Sequence, residues 1–400
     1  MTKIGILREG KTPPDERVVF TPSQISRIRS NHSELDIVVK RSEIRRIKDS
    51  EYESVGVPLV HSVLDCDILI GVKEVPIEEL IPNKTYFFFS HTIKMQPYNR
   101  GLLKAVMDKG ITLIDWECLA SGEGVRIIGF GRYAGIVGAY NGFRALGLRD
   151  DLFDLKKAHN CVDREELNRE LIKVKLPAMK ILLTGGGKVA RGALEILNDL
   201  RIKEVNIDEF LSKAFYEPVF CRITFDQYFK RKDGQPFDNQ FYLNNPSEHV
   251  SDFIRFAKVA DMFIAGHYWD SSAPFLFTRE DARSEFFNIN LVADISCDID
   301  GPVASTLRPS TIEDPFYGYD PRQETETAFD AKGAITVMAV DNLPCEMPRD
   351  ASKDFGEMFI EGVLPALINH DNDGVLAKGS ITVNGKISDK YNYLSDWVED

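Results

Sequence analysis

The segment Phe87-Phe88-Phe89 runs without a break into Ser90-His91-Thr92-Ile93-Lys94-Met95-Gln96. The shorter Ile70-Gly71-Val72 does the same into Lys73-Glu74. Apolar runs this short, rich in Val, Ile and Phe, read as strands buried on both faces, the pattern of a parallel sheet. Parallel strands need crossover connections, so the chain is committed to alternating strand with helix. Open α/β sheets bind ligands beyond the carboxyl ends of their strands. Lys73 and His91 are therefore expected on neighbouring strand ends facing one crevice. A Lys and a His so placed can share the proton transfers that making or breaking a C–N bond requires.

The alternation is legible along the chain. In the first part, strands are expected at Lys3–Arg8, Asp36–Lys40, Asp67–Val72, Tyr86–Ser90 and Thr112–Trp116. Helices are expected from Thr21-Pro22, with Thr as cap and Pro in the first turn, and from Pro97 to near Gly110. Glycines 129, 131, 135, 138, 142 and 147 interrupt an otherwise helical pattern. Each glycine weakens a helix interior, so a close approach of another helix or a cofactor is expected there, most simply in a tightly packed interdomain helix. Asp150 to Lys175 reads as a charged helical connector. A second series opens at Lys180–Thr184 and continues at Val205–Ile207, Met262–Ala265, Leu291–Ile295 and Ala334–Val340. Tyr216 to His249 has no clear period and reads as an insertion or a pairing arm, and Ala351 to Asn369 as a final amphipathic helix.

Four hundred residues and 43% hydrophobic content supply two or three cores. A net charge of −13 argues against non-specific nucleic-acid binding, though not against small anions held by a few arginines. The N-terminus reads as a strand rather than a signal peptide, and no apolar run approaches a membrane span. Six scattered cysteines with no C-x-x-C pair indicate neither zinc nor a disulfide framework. The expectation is a cytoplasmic protein with small-molecule substrates, no metal, no nucleic acid and no membrane.

Gly185-Gly186-Gly187-Lys188-Val189-Ala190 follows a strand and opens a helix, the context of the dinucleotide fingerprint G-x-G-x-x-A. Its glycines permit a tight turn, and backbone N–H groups at the helix start can hold a pyrophosphate. Arg191 follows on the first turn and could reach a phosphate. The fingerprint asks for an acid on the ribose at the end of the next strand, and Val205-Asn206-Ile207-Asp208 offers Asp208, with Glu204 and Glu209 as alternatives. NAD and NADP both stay open.

Other charged residues punctuate strand ends. Arg17 precedes the first helix, after the Lys11–Asp15 loop, and Arg126 follows Glu123-Gly124 on a strand start. Near a Lys/His crevice either would bind a substrate carboxylate as a bidentate fork. Glu117, ending the Thr112 strand, could bind a substrate ammonium or form a surface ion pair. Lys94 and Gln96 lie just beyond His91. In the second series Asp294-Ile295-Ser296-Cys297-Asp298 and Val340-Asp341-Asn342-Leu343-Pro344 also end strands. Asp341 there could hydrogen-bond a cofactor, whereas Cys297 and Cys345 read as packing residues.

Several segments resemble the saccharopine dehydrogenase and alanine dehydrogenase superfamily, most nearly the lysine–ketoglutarate reductase portion of the bifunctional aminoadipic semialdehyde synthases. They include Gly71-Val72-Lys73, Phe88–Lys94, Gly124-Val125-Arg126, Ala260-Asp261, Tyr268-Trp269, Thr311–Phe316, Val340–Pro344 and Asp389-Lys390-Tyr391. They span essentially the whole chain, and the expectation is a stand-alone reductase. The resemblance implies an α/β protein of two Rossmann-like domains with parallel sheets flanking a deep cleft. Residues 1–140 with 346–400 would bind substrate, and residues 141–345 NAD or NADP. It puts the catalytic Lys and acid/base His on Lys73 and His91. Substrate-carboxylate arginines fall on Arg17 and Arg126, substrate-side acids on Glu74 and Glu117, and the cofactor-side Asp on Asp341. Lys94 joins the substrate residues, and Gly185, Gly187, Lys188, Val189, Ala190 and Asp208 those of the cofactor. The implied reaction condenses L-lysine with 2-oxoglutarate through an imine to saccharopine. Rival expectations are an alanine dehydrogenase-type enzyme using free ammonia and a non-catalytic redox sensor.

Overall fold

Two eight-stranded, mostly parallel sheets dominate the computed structural model, which describes residues 1–11, 14–122 and 124–399. They lie in separate units. Unit 1 comprises Met1–Phe130 and Pro348–Asp400, and unit 2 comprises Gly131–Met347.

In unit 1 the strands are β1 (Thr2–Ile6), β2 (Leu35–Lys40), β3 (Leu59–Val60), β4 (Ile68–Lys73), β5 (Thr85–Phe89) and β6 (Thr112–Asp115). They are ordered β3-β2-β1-β4-β5-β6 and all pair in parallel. Two C-terminal strands, Ser380–Val383 and Lys386–Ile387, extend the β6 edge antiparallel. The phenylalanine run is continuous because both faces of β5 are covered. Phe87 and Phe89 enter one core with Ile4, Ile70 and Phe355, and Tyr86 and Phe88 enter another with Leu69, Leu103 and Trp397. Thr21 caps the Pro22–Asn31 helix in a capping box with Gln24, as the Thr-Pro signal predicts. The expected final helix is Pro348–Gly362. It stops there, ahead of Pro365 in the first turn of the next helix, and a Cβ on Gly362 would meet Ile127 at 2.4 Å; further helices, Leu364–Ile368 and Leu394–Glu399 among them, follow it.

Unit 2 contains β7 (Lys180–Thr184), β8 (Lys203–Glu204), β9 (Val219–Ile223), β10 (Phe229–Arg231), β11 (His249–Ser251), β12 (Met262–Ala265), β13 (Leu291–Asp294), β14 (Phe316–Asp320), β15 (Thr325–Thr327) and β16 (Ile335–Met338). Its sheet runs β8-β9-β7-β12-β13-β16-β14-β15, antiparallel only at β14 and β15. Three expectations change here. The strand read at Val205–Ile207 is Lys203–Glu204, because Asn206 caps a helix beginning at Ile207. The Tyr216–His249 stretch supplies β9, a full member of the sheet, together with a β10–β11 hairpin. The Asp150–Lys175 connector is mostly irregular, since Asp151 turns left-handed and only Arg164–Leu171 is α-helical.

The glycine-rich helix, Gly131–Arg149, crosses the Lys188–Asp199 helix at backbone contact. A Cβ on Gly135 would lie 1.9 Å from the Val189 carbonyl oxygen, and one on Gly192 1.9 Å from that of Arg132. The glycines thus serve helix–helix approach, which compensates for their low helix propensity.

Candidate active site

Lys73 ends β4 at a bulge. Ile70 pairs with Phe87 but Lys73 with Phe89, so β4 carries one residue more than β5 over this stretch. Backbone groups displaced by the bulge are satisfied by side chains. Glu9 accepts from the Val72 and Lys73 N–H groups at 2.7 and 2.8 Å, and Trp116 Nε1–H donates to the Gly71 carbonyl at 2.8 Å. Burial, reinforced by Asp15, pushes the Glu9 carboxyl up to about 8 against the pull of those two N–H groups and Arg17. Lys73 is half-buried. Burial first, then the charges of Arg17 and Lys11, hold its ammonium below the ordinary lysine range despite Glu74 and Asp15.

His91 follows β5 in a left-handed conformation (φ 56°), costly for a residue with a side chain. Its neighbours hold it there. Asp115, fully buried at the end of β6, accepts from Ser90 N–H at 2.8 Å, from the Ser90 hydroxyl and from Glu117 N–H at 2.7 Å. Asn99 donates to the His91 carbonyl at 3.3 Å. Burial raises the Asp115 carboxyl above its ordinary range, though the Ser90 and Glu117 donors oppose it. The same carboxylate therefore positions His91 and Glu117 together. His91 Nδ1 lies 3.2 Å from Glu117 Oε2, while Lys94 Nζ and an Arg126 guanidinium nitrogen lie 3.5 and 3.8 Å from Oε1. Burial works to raise Glu117, but the His91 hydrogen bond and the Lys94 and Arg126 charges outweigh it and hold the carboxyl at about 2.

The ring of Phe89 is the hub of this cluster. His91 stacks on it at 6.0 Å, the Arg126 guanidinium carbon lies 5.4 Å from its centre and Lys73 Nζ 5.9 Å. Phe130 and Phe355 continue the platform, and Arg17 lies over Phe130 at 4.1 Å. Lys73, His91, Glu117, Lys94 and Arg126 thus converge at the ends of three consecutive strands, with Arg17 beside them. Arg17 differs from the open fork expected of it. It is 2% exposed, and its guanidinium is gripped by Asp15 at 2.5 and 2.9 Å. Glu74 pairs with Lys11 at 3.0 Å, and its Oε2 is buried without a hydrogen-bond partner among the described residues. Glu123, ahead of Arg126, and part of the Lys11–Asp15 loop lie outside the described residues. Sequence reading missed Glu9, Asp15 and Asp115. Glu9 and Asp115 stand where a buried strand ends, a signal that was available.

In unit 2, β7 ends in Thr184 and passes into the glycine loop and the Lys188–Asp199 helix. Gly185 has φ 105°, and a Cβ there would meet the Gly266 carbonyl at 2.6 Å, so only glycine fits. Gly266 packs on the backbone of buried Ala190, where a Cβ built on Gly266 would lie 3.2 Å from the Ala190 Cα. Gly187 begins the helix with open space above it and supplies no capping side chain, so the first turn, Lys188-Val189-Ala190, opens beside a bare backbone. These features fit a pyrophosphate. Asp208 is a correction. It lies on the first turn of the Ile207–Ser212 helix beyond edge strand β8, with β9 standing between β8 and β7. Asp341 is exposed just past β16, at the same carboxyl edge as the glycine loop. Asp294 is a buried brace that accepts from Ser296, Cys297 and Thr306. Cys297 donates to the Ala339 carbonyl at 3.2 Å, and burial with nearby acids pushes its thiol up to about 12, an inert packing group. Among the described residues no group of three or more His, Cys, Asp or Glu could hold a metal ion, and no helix is long and apolar enough to cross a membrane.

Residues 5–137 match the alanine dehydrogenase/PNT N-terminal domain family. Mitochondrial alpha-aminoadipic semialdehyde synthase of Bos taurus is 28% identical over 98% of this chain and 47% of its own length. The NAD(+), L-lysine-forming saccharopine dehydrogenase of Emericella nidulans is 25% identical over 96% of both chains. A solved L-alanine dehydrogenase superimposes with a TM-score of 0.65 at 16% identity, covering 99% of this chain and 100% of that one, which is a likeness of fold. The chain spans about half the length of the semialdehyde synthases it matches. It is a homologue of those synthases and of the saccharopine dehydrogenases, and it carries an alanine dehydrogenase/PNT N-terminal domain.

Proposed function

We propose that this homologue of the saccharopine dehydrogenases is a nicotinamide-dependent oxidoreductase acting on a CH–NH group, joining L-lysine to 2-oxoglutarate to give saccharopine and reversing that reaction. The observation that carries the reading is the convergence of Lys73, His91 and Glu117 around the Phe89 ring. Unit 1 binds the substrates and unit 2 the dinucleotide, through Gly185, Gly187 and the N–H groups of Lys188, Val189 and Ala190, with Asp341 on the cofactor side. When bound, the dinucleotide supplies the hydride that no side chain can.

The remaining work falls to side chains. The lysine ε-amine attacks the keto carbon only when neutral, and Lys73, with its own proton affinity lowered by burial, takes up the released proton. Ionised Glu117 accepts the Nδ1–H of His91 and leaves Nε2 to exchange protons as the carbinolamine loses water to form the imine. Arg126 binds a substrate carboxylate. Arg17, gripped by Asp15, acts as fixed positive charge beside Lys73 rather than as an open fork. Orientation of the two substrates supplies much of the rate. Six scattered cysteines with no C-x-x-C pair suit a reducing compartment such as the cytoplasm.

The test is spectrophotometric: loss of NADH or NADPH absorbance with purified protein, 2-oxoglutarate and L-lysine, beside pyruvate and ammonia. Lysine-dependent oxidation with saccharopine as product is expected. Oxidation with pyruvate and ammonia alone would move the assignment to an alanine dehydrogenase. Cofactor binding without turnover of either pair would favour the redox sensor.

A further inference from the structure

Backbone pairing between β1 and β4 reaches the bond from Leu7 N–H to the Ile70 carbonyl, at 2.8 Å. Beyond it a side chain takes over the ladder. Glu9 Oε1 and Oε2 accept from the successive N–H groups of Val72 and Lys73, so one carboxyl group spans the bulge that carries Lys73. Successive N–H groups of a regular strand point to opposite sides, and the bulge is what turns both towards one acceptor. The chain is packed closely around that acceptor. A Cβ on Gly71 would lie 3.5 Å from Glu9 Oε1, and one on Gly10 2.8 Å from Pro76 Cγ.

The groups facing the pair carry both signs. Asp15 and Arg17, from the segment after β1, act on Glu9 and Lys73 alike. Lys11 and Glu74 pair at 3.0 Å beside Lys73, and Arg126 and His91 share the Phe89 ring with it. Burial is the largest influence on both groups and brings their proton affinities closer: the Glu9 carboxyl rises to about 8, and the Lys73 ammonium falls below its ordinary range. An acid and an amine drawn together in this way, one bound to the backbone of the other, titrate as a coupled pair.

We propose that Glu9 is a positioning residue for the proposed reaction: it fixes Lys73 at the end of β4 and, through its own charge, sets how readily Lys73 gives up a proton. Glu9 touches no substrate in this role. The catalytic half of the inference rests on the reading of Lys73 as the proton carrier of lysine-dependent reduction.

Two measurements on the full chain test it. The first is the pH profile of kcat/KM for lysine-dependent NADH or NADPH oxidation. Glu9→Gln leaves one acceptor oxygen for two N–H groups. It is expected to lower kcat roughly 10- to 100-fold, the range for losing a hydrogen bond to a charged group, and to move the limb due to Lys73 to lower pH. The second reads Lys73 without turnover, as the rate of its carbamylation by cyanate at each pH, followed by peptide mass spectrometry. Cyanate attacks the neutral amine, so the wild type should show a rise spread over more than one titration, and Glu9→Gln a single rise at lower pH. A single rise in the wild type would overturn the proposal even if Glu9→Gln failed to fold. So would a variant with unchanged kcat and an unchanged profile. Absence of lysine-dependent turnover in the wild type would instead overturn the proposed reaction, and the cyanate curve would still decide whether Glu9 governs the Lys73 proton.

Discussion

The two sheets use their carboxyl ends in opposite ways. Unit 1 brings side chains together: a half-buried lysine, histidine and glutamate and an exposed arginine gather round one phenylalanine ring. Unit 2 presents backbone: three glycines and a helix start without a capping side chain. The difference follows from the ligand each is suited to. Moving protons needs groups with altered proton affinity, which burial and neighbouring charge provide. Holding a pyrophosphate needs unobstructed N–H groups, which side chains would only cover.

Substitutions should therefore act differently in the two units. Lys73→Met and His91→Gln are expected to lower kcat by ~10²- to 10⁴-fold each, the usual loss of a general acid or base. Dinucleotide affinity, read by fluorescence titration, should stay within about threefold because the ligand is held by independent groups. A parallel loss of dinucleotide binding would break the division between the units. Gly135→Ala should do the reverse, lowering the stability of unit 2 by ~3 kcal/mol through a backbone clash with Val189 and leaving unit 1 untouched. Calorimetry checks this, and an unchanged thermogram would show that the helices separate without cost.

A smaller effect concerns Glu9. Its carboxyl is raised from 4.5 to about 8, by burial first and then by Asp15, so the folded chain keeps a proton that the unfolded chain releases. The resulting stabilisation is complete below the unfolded value and lost as pH rises through the folded one. Urea unfolding should show the wild type losing about 2 kcal/mol more than Glu9→Gln between pH 5 and pH 7. Equal losses would mean that Glu9 titrates alike in the folded and unfolded chains.

Local signals carried far in this chain. The Thr21-Pro22 cap, the glycine loop and the apolar runs of β4, β5, β7 and β12 were legible because each depends on residues a few positions apart. Lys73, His91 and Glu117 were legible as a group because β4, β5 and β6 pair in the order their helical connections imply. Asp208 stands elsewhere than expected for the opposite reason. The rule that locates the ribose acid assumes that the next strand in sequence is the next in space, and here β9 takes that place from β8.

The amino-acid sequence by itself determined the alternation of strand and helix, the two sheets and the turn at Gly185, since pattern, capping and glycine chemistry act locally. The tertiary structure alone decided that Glu9 supports Lys73, that Asp115 holds His91 and Glu117, and that Thr224 borders the glycine loop. Those relations join strands whose neighbours are set by packing. Burial, and with it every shifted proton affinity at the site, exists only once the sheets have formed.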